Sequence, residues 1–273
     1  MSGEPVDYRG QGVPYYQYSR DTWDNRLPRD GVRGSFDSPD IERYGKDEFG
    51  FDNASIRAGF VRKVFAIVTI MCLIVVLMTS PVVAISELRS MMQENRWVYY
   101  IALVVFISSY LTLVCCNSLA RSFPTNIMVL AVFTFSAGLM LMVICSLVPP
   151  TTVLLALLTT TVCCAAIILF ATQTSFDITS YIFVIFVVGT AVFILGIVAA
   201  ILSIFVYIKA LHIAYSAIVC VLFMVYLALD IQLIVGGRKY EISPEEYVFA
   251  ALMLFVDIYQ IFITLLTLFN QGD

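Results

Sequence analysis

Residues 212–269 read HIAYSAIVCVLFMVYLALDIQLIVGGRKYEISPEEYVFAALMLFVDIYQIFITLLTLF. The stretch holds two apolar runs, each long enough to cross a bilayer, because about 20 helical residues span the hydrocarbon. Gly236-Gly237 separates them and supplies a left-handed helix stop. Ser243-Pro244-Glu245-Glu246 reads as an N-cap serine, a proline at the first helical position and a capping-box glutamate, so a helix is expected to begin at Pro244. Each run carries one carboxylate well inside it, Asp230 in LALDIQL and Asp257 in FVDIYQ. A charge at bilayer depth costs roughly 2.5–3.5 kcal/mol on insertion scales. Two such charges on consecutive spans are best accommodated if both face a bundle interior and meet. Carboxylates that close cannot both ionise freely, so the pair is a candidate site for a shared proton or a cation.

Outward from this stretch the chain keeps the same character. It is 60% hydrophobic with a mean hydropathy of +0.89, more apolar surface than a soluble core needs. Further apolar spans are expected at about 64–85, 97–116, 127–148, 153–172 and 181–207, ahead of the last two at about 211–235 and 247–269. The expected fold is an all-α membrane protein, a seven-helix transmembrane bundle over residues 56–273. Of the 36 charged residues, 19 lie in residues 1–57. Residues 1–55, rich in Pro, Gly and Tyr, read as a disordered tail, either a solvated spacer or a partner-binding arm. Arg57, Arg62 and Lys63 precede the first span, which places the N-terminus in the cytosol by the positive-inside rule. Seven full crossings are expected; a re-entrant last span would instead return the C-terminal tail to the cytosol. Short loops leave no room for a soluble catalytic domain, and no nucleophile–base set or metal-ligand spacing appears, so an enzyme is not expected, and no cofactor. The net charge of −4 carries no nucleic-acid signal.

Along the last helix Asp257, Gln260, Thr264 and Thr267 recur at steps of three or four and share one face. Gln260 and Thr264 either line a pathway with the aspartates or hydrogen-bond between helices. On the preceding helix Ser216, Cys220, Phe223, Leu227 and Asp230 share a face in the same way. The seven cysteines all sit in or at the ends of spans and read as small packing residues, with Cys115-Cys116 also placed for acylation. His212 reads as an interfacial hydrogen-bonding residue or a pH sensor, Asp177 as a helix cap, and Arg238 and Lys239 as topology determinants.

FPTN at 123–126, QTSFDIT at 173–179, LALDIQL at 227–233, SPEEYVFAAL at 243–252 and FVDIYQIF at 255–262 resemble, in order and spacing, the signature stretches of the Bax inhibitor motif-containing transmembrane family, and most of all its Lifeguard branch. The resemblance covers roughly residues 50–270 and implies a seven-helix bundle with the last helix at its centre. It further implies a pH-sensitive calcium leak in the endomembranes, endoplasmic reticulum or Golgi, and suppression of cell death. It maps the family's two-aspartate proton sensor onto Asp230 and Asp257, and its latch arginine onto Arg121. Some members add an acid within the second helix, where this chain reads FISSYLT. Calcium is then the transported ion, held weakly by Asp230 and Asp257 with help from water and carbonyl oxygens. The competing expectation is a non-conducting membrane adaptor that inhibits apoptosis through cell-death proteins. A heptahelical receptor is less well supported, since no disulfide-linked outer loop is visible, and the last span has no lysine for retinal.

Overall fold

A computed structural model describes residues 39–116, 122–206 and 208–272, with side chains from Ser55 to Gln271 apart from the same gaps. The chain divides into two units, residues 1–46 and 47–273, and the apolar helix bundle belongs to the second. Among the described residues there are α-helices and 3₁₀ turns and no strand. The helices are α1 (Pro39–Ala84), α2 (Ser86–Glu94), α3 (Trp97–Cys115), α4 (Thr125–Ser146), α5 (Pro150–Gln173), α6 (Ile182–Phe205), α7 (Lys209–Val235) and α8 (Tyr247–Gly272). All but the short α2 are long and apolar enough to cross a membrane, so the expected seven spans are present.

The bundle has two apolar cores, and α8 serves both. On one side Ala250, Ala251, Leu254, Ile261 and Leu265 pack with Leu227, Ile231 and Ile234 of α7 and with residues of α1 and α5. On the other, Val248, Leu252, Phe255, Tyr259 and Phe262 pack with Phe133, Ala137 and Leu141 of α4. Two buried faces on one helix make it central. In α8, 67% of the best apolar window is buried, against 6% in α6, so the last helix lies at the middle of the bundle. The α7–α8 seam is the most extensive of those α8 makes. In the α4–α8 contact Tyr259 donates to the Ala137 carbonyl (3.1 Å), and its ring stacks on Phe255, 5.8 Å between centroids.

Three local features differ from the sequence reading. The stretch after the first span, expected as a plain loop, contains α2. Arg89 and Gln93 on that helix donate to the carbonyls of Val148 (3.2 Å) and Ser146 (2.6 Å), which closes the carbonyl end of α4. Helix α1 opens at Pro39, inside the stretch read as tail; residues 1–38 lie outside the described residues. Around the start of the first apolar run, Phe60 and Val64 are buried in the core that holds Ala250 and Ala251, and the Lys63 ammonium sits 3.2 Å from the centroid of the Tyr247 ring, so this part of α1 flanks the start of α8. Third, the last span does begin at Pro244, as a 3₁₀ turn (Pro244–Glu246) leading into α8, but Ser243 makes no side-chain cap bond. The turn is closed by the Glu246 amide donating to the Ser243 carbonyl (2.9 Å).

Candidate functional site

Asp230 lies five residues before the end of α7 and Asp257 lies near the end of the third turn of α8, both on faces turned into the α7–α8 seam. Each is 5% exposed. Their carboxyls are within hydrogen-bonding reach of each other, so the two acids read from sequence as a pair do meet. A hydrogen bond between two carboxyls requires a proton on one of them. The Oδ2 of Asp257 is buried and receives no hydrogen bond from an N–H or hydroxyl among the described residues. Tyr110 of α3 and Tyr226 of α7 are close enough to interact electrostatically with both acids, and Cys164 of α5 with Asp257.

The rest of the expected stripe divides. Thr264 is buried, yet its hydroxyl donates to the carbonyls of Gln260 (2.8 Å) and Ile261 (3.0 Å) on its own helix. Thr267 does the same to Ile263 (2.8 Å). Serine and threonine in membrane helices commonly satisfy themselves this way. Gln260 is half-buried on the same face. Arg121, the expected latch, lies outside the described residues. Among the described residues no three His, Cys, Asp or Glu gather as a metal-holding group.

Sequence reasoning missed Gln232. It is 1% exposed and sits two residues beyond Asp230, about 200° further round the helix, so it faces away from the pair. Its Oε1 accepts from the Ile178 amide (2.8 Å), and its Nε2 donates to the carbonyls of Phe176 (2.9 Å) and Ala171 (3.5 Å). One side chain therefore binds the 174–178 turn to the last turns of α7. The available signal was an amide inside an apolar run, the same kind of anomaly that marked the aspartates. Asp177 caps the 3₁₀ turn Ile178–Tyr181 as expected, accepting from the Thr179 amide (3.0 Å) and from the hydroxyls of Thr179 (2.6 Å) and Ser180 (2.9 Å). These bonds, the Thr179 hydroxyl first, hold its carboxyl below the usual range.

A second turn, residues 236–243, joins α7 to α8. Gly236 and Gly237 take φ of 76° and 73°, the sign expected; ψ of −169° at Gly236 makes it an extended mirror-image conformation reserved for glycine. The Ile242 amide donates to the Leu233 carbonyl (3.0 Å). Arg238, read as a topology charge, donates to the carbonyls of Ser175 (3.1 Å) and Thr174, which ties the two turns together. Arg57 of α1 donates to the Ile242 carbonyl (2.7 Å) and pairs with Glu241.

Comparison with known proteins bears on the whole bundle. The profile of the family described as inhibitor of apoptosis-promoting Bax1 matches residues 57–273. Protein lifeguard 3 of Homo sapiens is 36% identical over 235 residues, 85% of this chain and 75% of that one. Protein lifeguard 3 of Mus musculus is 35% identical over the same length, 85% of this chain and 76% of its own. Protein lifeguard 4 of Mus musculus is 27% identical over 216 residues, 77% and 84% respectively.

Proposed function

The chain belongs to the Bax inhibitor family, in its Lifeguard branch, and from that premise we propose that it is a pH-sensitive calcium leak pathway of intracellular membranes that modulates cell death. The observation that carries the reading is the meeting of Asp230 and Asp257 in the α7–α8 seam, both buried, with no N–H or hydroxyl donor to the Asp257 Oδ2 among the described residues. While one proton bridges the pair, the two helices are held together and the site carries at most one negative charge. Loss of that proton leaves two like charges side by side, worth about 4 kcal/mol of repulsion at 4 Å in surroundings of intermediate dielectric. Either the helices part or a cation enters. Calcium is the fitting cation, since it takes hard oxygen ligands, and two carboxylates completed by water and carbonyls hold it weakly enough to pass. Arg121 is the latch in this reading, pairing with ionised Asp230, and Gln260 adds a polar wall to the route. The N-terminus is cytosolic, and the membrane is that of the endoplasmic reticulum or Golgi.

The test is calcium flux into proteoliposomes from about pH 5.5 to 8, a range in which coupled buried acids titrate, for wild type and for the Asp230→Asn, Asp257→Asn double variant. A pH-dependent flux that the double variant loses, or that becomes flat with pH, supports the gate. A well-folded wild type with no flux at any pH refutes it and favours a membrane adaptor that restrains cell death by binding other proteins.

A further inference from the structure

The turn between α7 and α8 is weakly rooted by packing. Of residues 236–243 only Ile242 is buried. Its remaining hold is polar, and α1 supplies a large part of it through one side chain. The Arg57 guanidinium, 18% exposed, donates to the Ile242 carbonyl at 2.7 Å and pairs with the Glu241 carboxylate. It lies against Gly236 so closely that a Cβ there would fall 2.5–2.7 Å from three of its atoms, and it stands over the Phe60 ring, 5.7 Å from the centroid. Glu241 also accepts from the Gly237 amide (3.2 Å). That amide, followed by Arg57, holds the Glu241 carboxyl below its usual range, so the carboxylate stays charged at neutral and mildly acid pH.

We propose that Arg57 is a positioning residue, a clasp from α1 to the α7–α8 turn that keeps the ends of α7 and α8 together beside the aspartate pair. Asp230 is five residues before the last residue of α7, so freedom at the turn passes directly to the helix end carrying the acid. The clasp does not sense pH over the range in which the pair would; it sets how far the helix ends open once the pair repels. The glycine is part of the device, because only a residue without Cβ leaves room for the guanidinium. This inference rests on the aspartate pair being the gate, and its test separates the two ideas.

The experiment uses the full chain and two readouts. Tryptic cleavage in detergent, scored by fragment mass at Arg238 and Lys239 alone so that the site created by Glu241→Arg is not counted, reports the turn, and proteoliposome calcium flux reports the gate. Arg57→Ala and, at the exposed partner, Glu241→Ala are compared with the charge swap Arg57→Glu, Glu241→Arg. The expected result is faster cleavage in both single variants, on the order of tenfold for Arg57→Ala because it loses a charge-assisted bond, and higher flux that still responds to pH. The swap restores part of both, through the ion pair but not the carbonyl bond. Wild-type cleavage and flux in Arg57→Ala overturn the clasp, as does a swap no better than its singles combined. Accelerated cleavage rescued by the swap, in a protein that conducts nothing, leaves the clasp standing and sinks the conduction reading instead.

Discussion

Replacing Gln232 by leucine tests how the turn at 174–178 is held, and the structure sets the magnitude. The side chain is buried and makes two well-formed bonds, to the Ile178 amide (2.8 Å) and the Phe176 carbonyl (2.9 Å), with a longer one to the Ala171 carbonyl. Leucine fits the volume and returns some apolar contact, but leaves the amide and the carbonyl without partners. An orphaned buried group costs about 1–3 kcal/mol, so two cost about 2–6 kcal/mol, less roughly 1 kcal/mol for the added apolar burial. Gln232→Glu retains the acceptor for Ile178, loses the donor to Phe176 and places a charge in a closed site, so it is expected to be the worse variant above neutral pH and to recover as pH falls. Hydrogen exchange at the Ile178 amide is the specific assay, read beside unfolding in detergent. The leucine variant should exchange that amide at least tenfold faster, since each 1.4 kcal/mol of lost protection is a factor of ten. Unchanged Ile178 exchange, or a glutamate variant as stable as leucine at pH 8, would refute the reasoning.

Three further outcomes are expected. A Cβ at Gly189 would run into the Tyr226 hydroxyl, which donates to the Ile185 carbonyl at 3.4 Å; Gly189→Ala should cost about 1 kcal/mol in wild type and distinctly less in a Tyr226→Phe background, as a double-mutant cycle by thermal unfolding will show. Asp177 has its carboxyl held below the usual range in the folded chain by Thr179, Ser180 and backbone amides, so its contribution is present above its unfolded value of about 3.9 and is lost as pH falls through the lower folded value; the protection factors of the 178–181 amides, exchange rates divided into their intrinsic values at each pH, should fall in acid below about pH 4 in wild type and be low and independent of pH in Asp177→Ala. Asp257→Asn keeps a donor for the Asp230 carboxylate whereas Asp257→Leu leaves that acid alone in the seam, so the leucine variant should be the less stable by about 1–3 kcal/mol in detergent unfolding, and equal stability would mean that the two acids do not bond.

The spans and the two acids buried in them were legible because each rests on a signal with few physical explanations, while the central place of the last helix came from the family resemblance. An apolar run of more than twenty residues has one common home, and an acid inside it has to face something other than lipid. The Asp177 cap was legible for a similar reason, as an acid followed by two hydroxyl residues at the mouth of a helix. Other features left weaker traces. Helix α2 is nine residues long, and its apolar face is too short to stand out from a loop. Gln232 carries no charge, so its burial looked inexpensive. Arg57 and Arg238 were explained by topology alone, and a charge that satisfies one rule hides a second use: both guanidiniums turn out to be donors to loop carbonyls. In place of the Ser243 hydroxyl, the Ser243 carbonyl takes the Glu246 amide, as a 3₁₀ turn closes through its own backbone.

These features together bear on where the bundle yields if the aspartates repel. The α7–α8 seam is lined along much of its length by fully buried apolar side chains, Leu227, Ile231 and Ile234 against Ala250, Ala251 and Leu254, and parting it throughout would expose many of them at about 25 cal/mol per Å². A repulsion of about 4 kcal/mol is too small for that. It is comparable with the few hydrogen bonds that hold residues 236–243, each worth about 0.5–1.5 kcal/mol net, or more where a guanidinium donates. The small displacement such a repulsion can drive is therefore directed to the very end of α7, past the buried Ile234, and to the exposed turn beyond it, where the polar ties from Arg57 and Arg238 converge. Those ties oppose the repulsion of the pair: stronger ones demand more repulsion before the end opens, and weaker ones let it open further once the shared proton is lost. In the proposed gate Arg57 and Arg238, which hold the turn, would then set the threshold, and substitutions at either should move the flux at a given pH without abolishing its response to pH, which that reading assigns to the two aspartates.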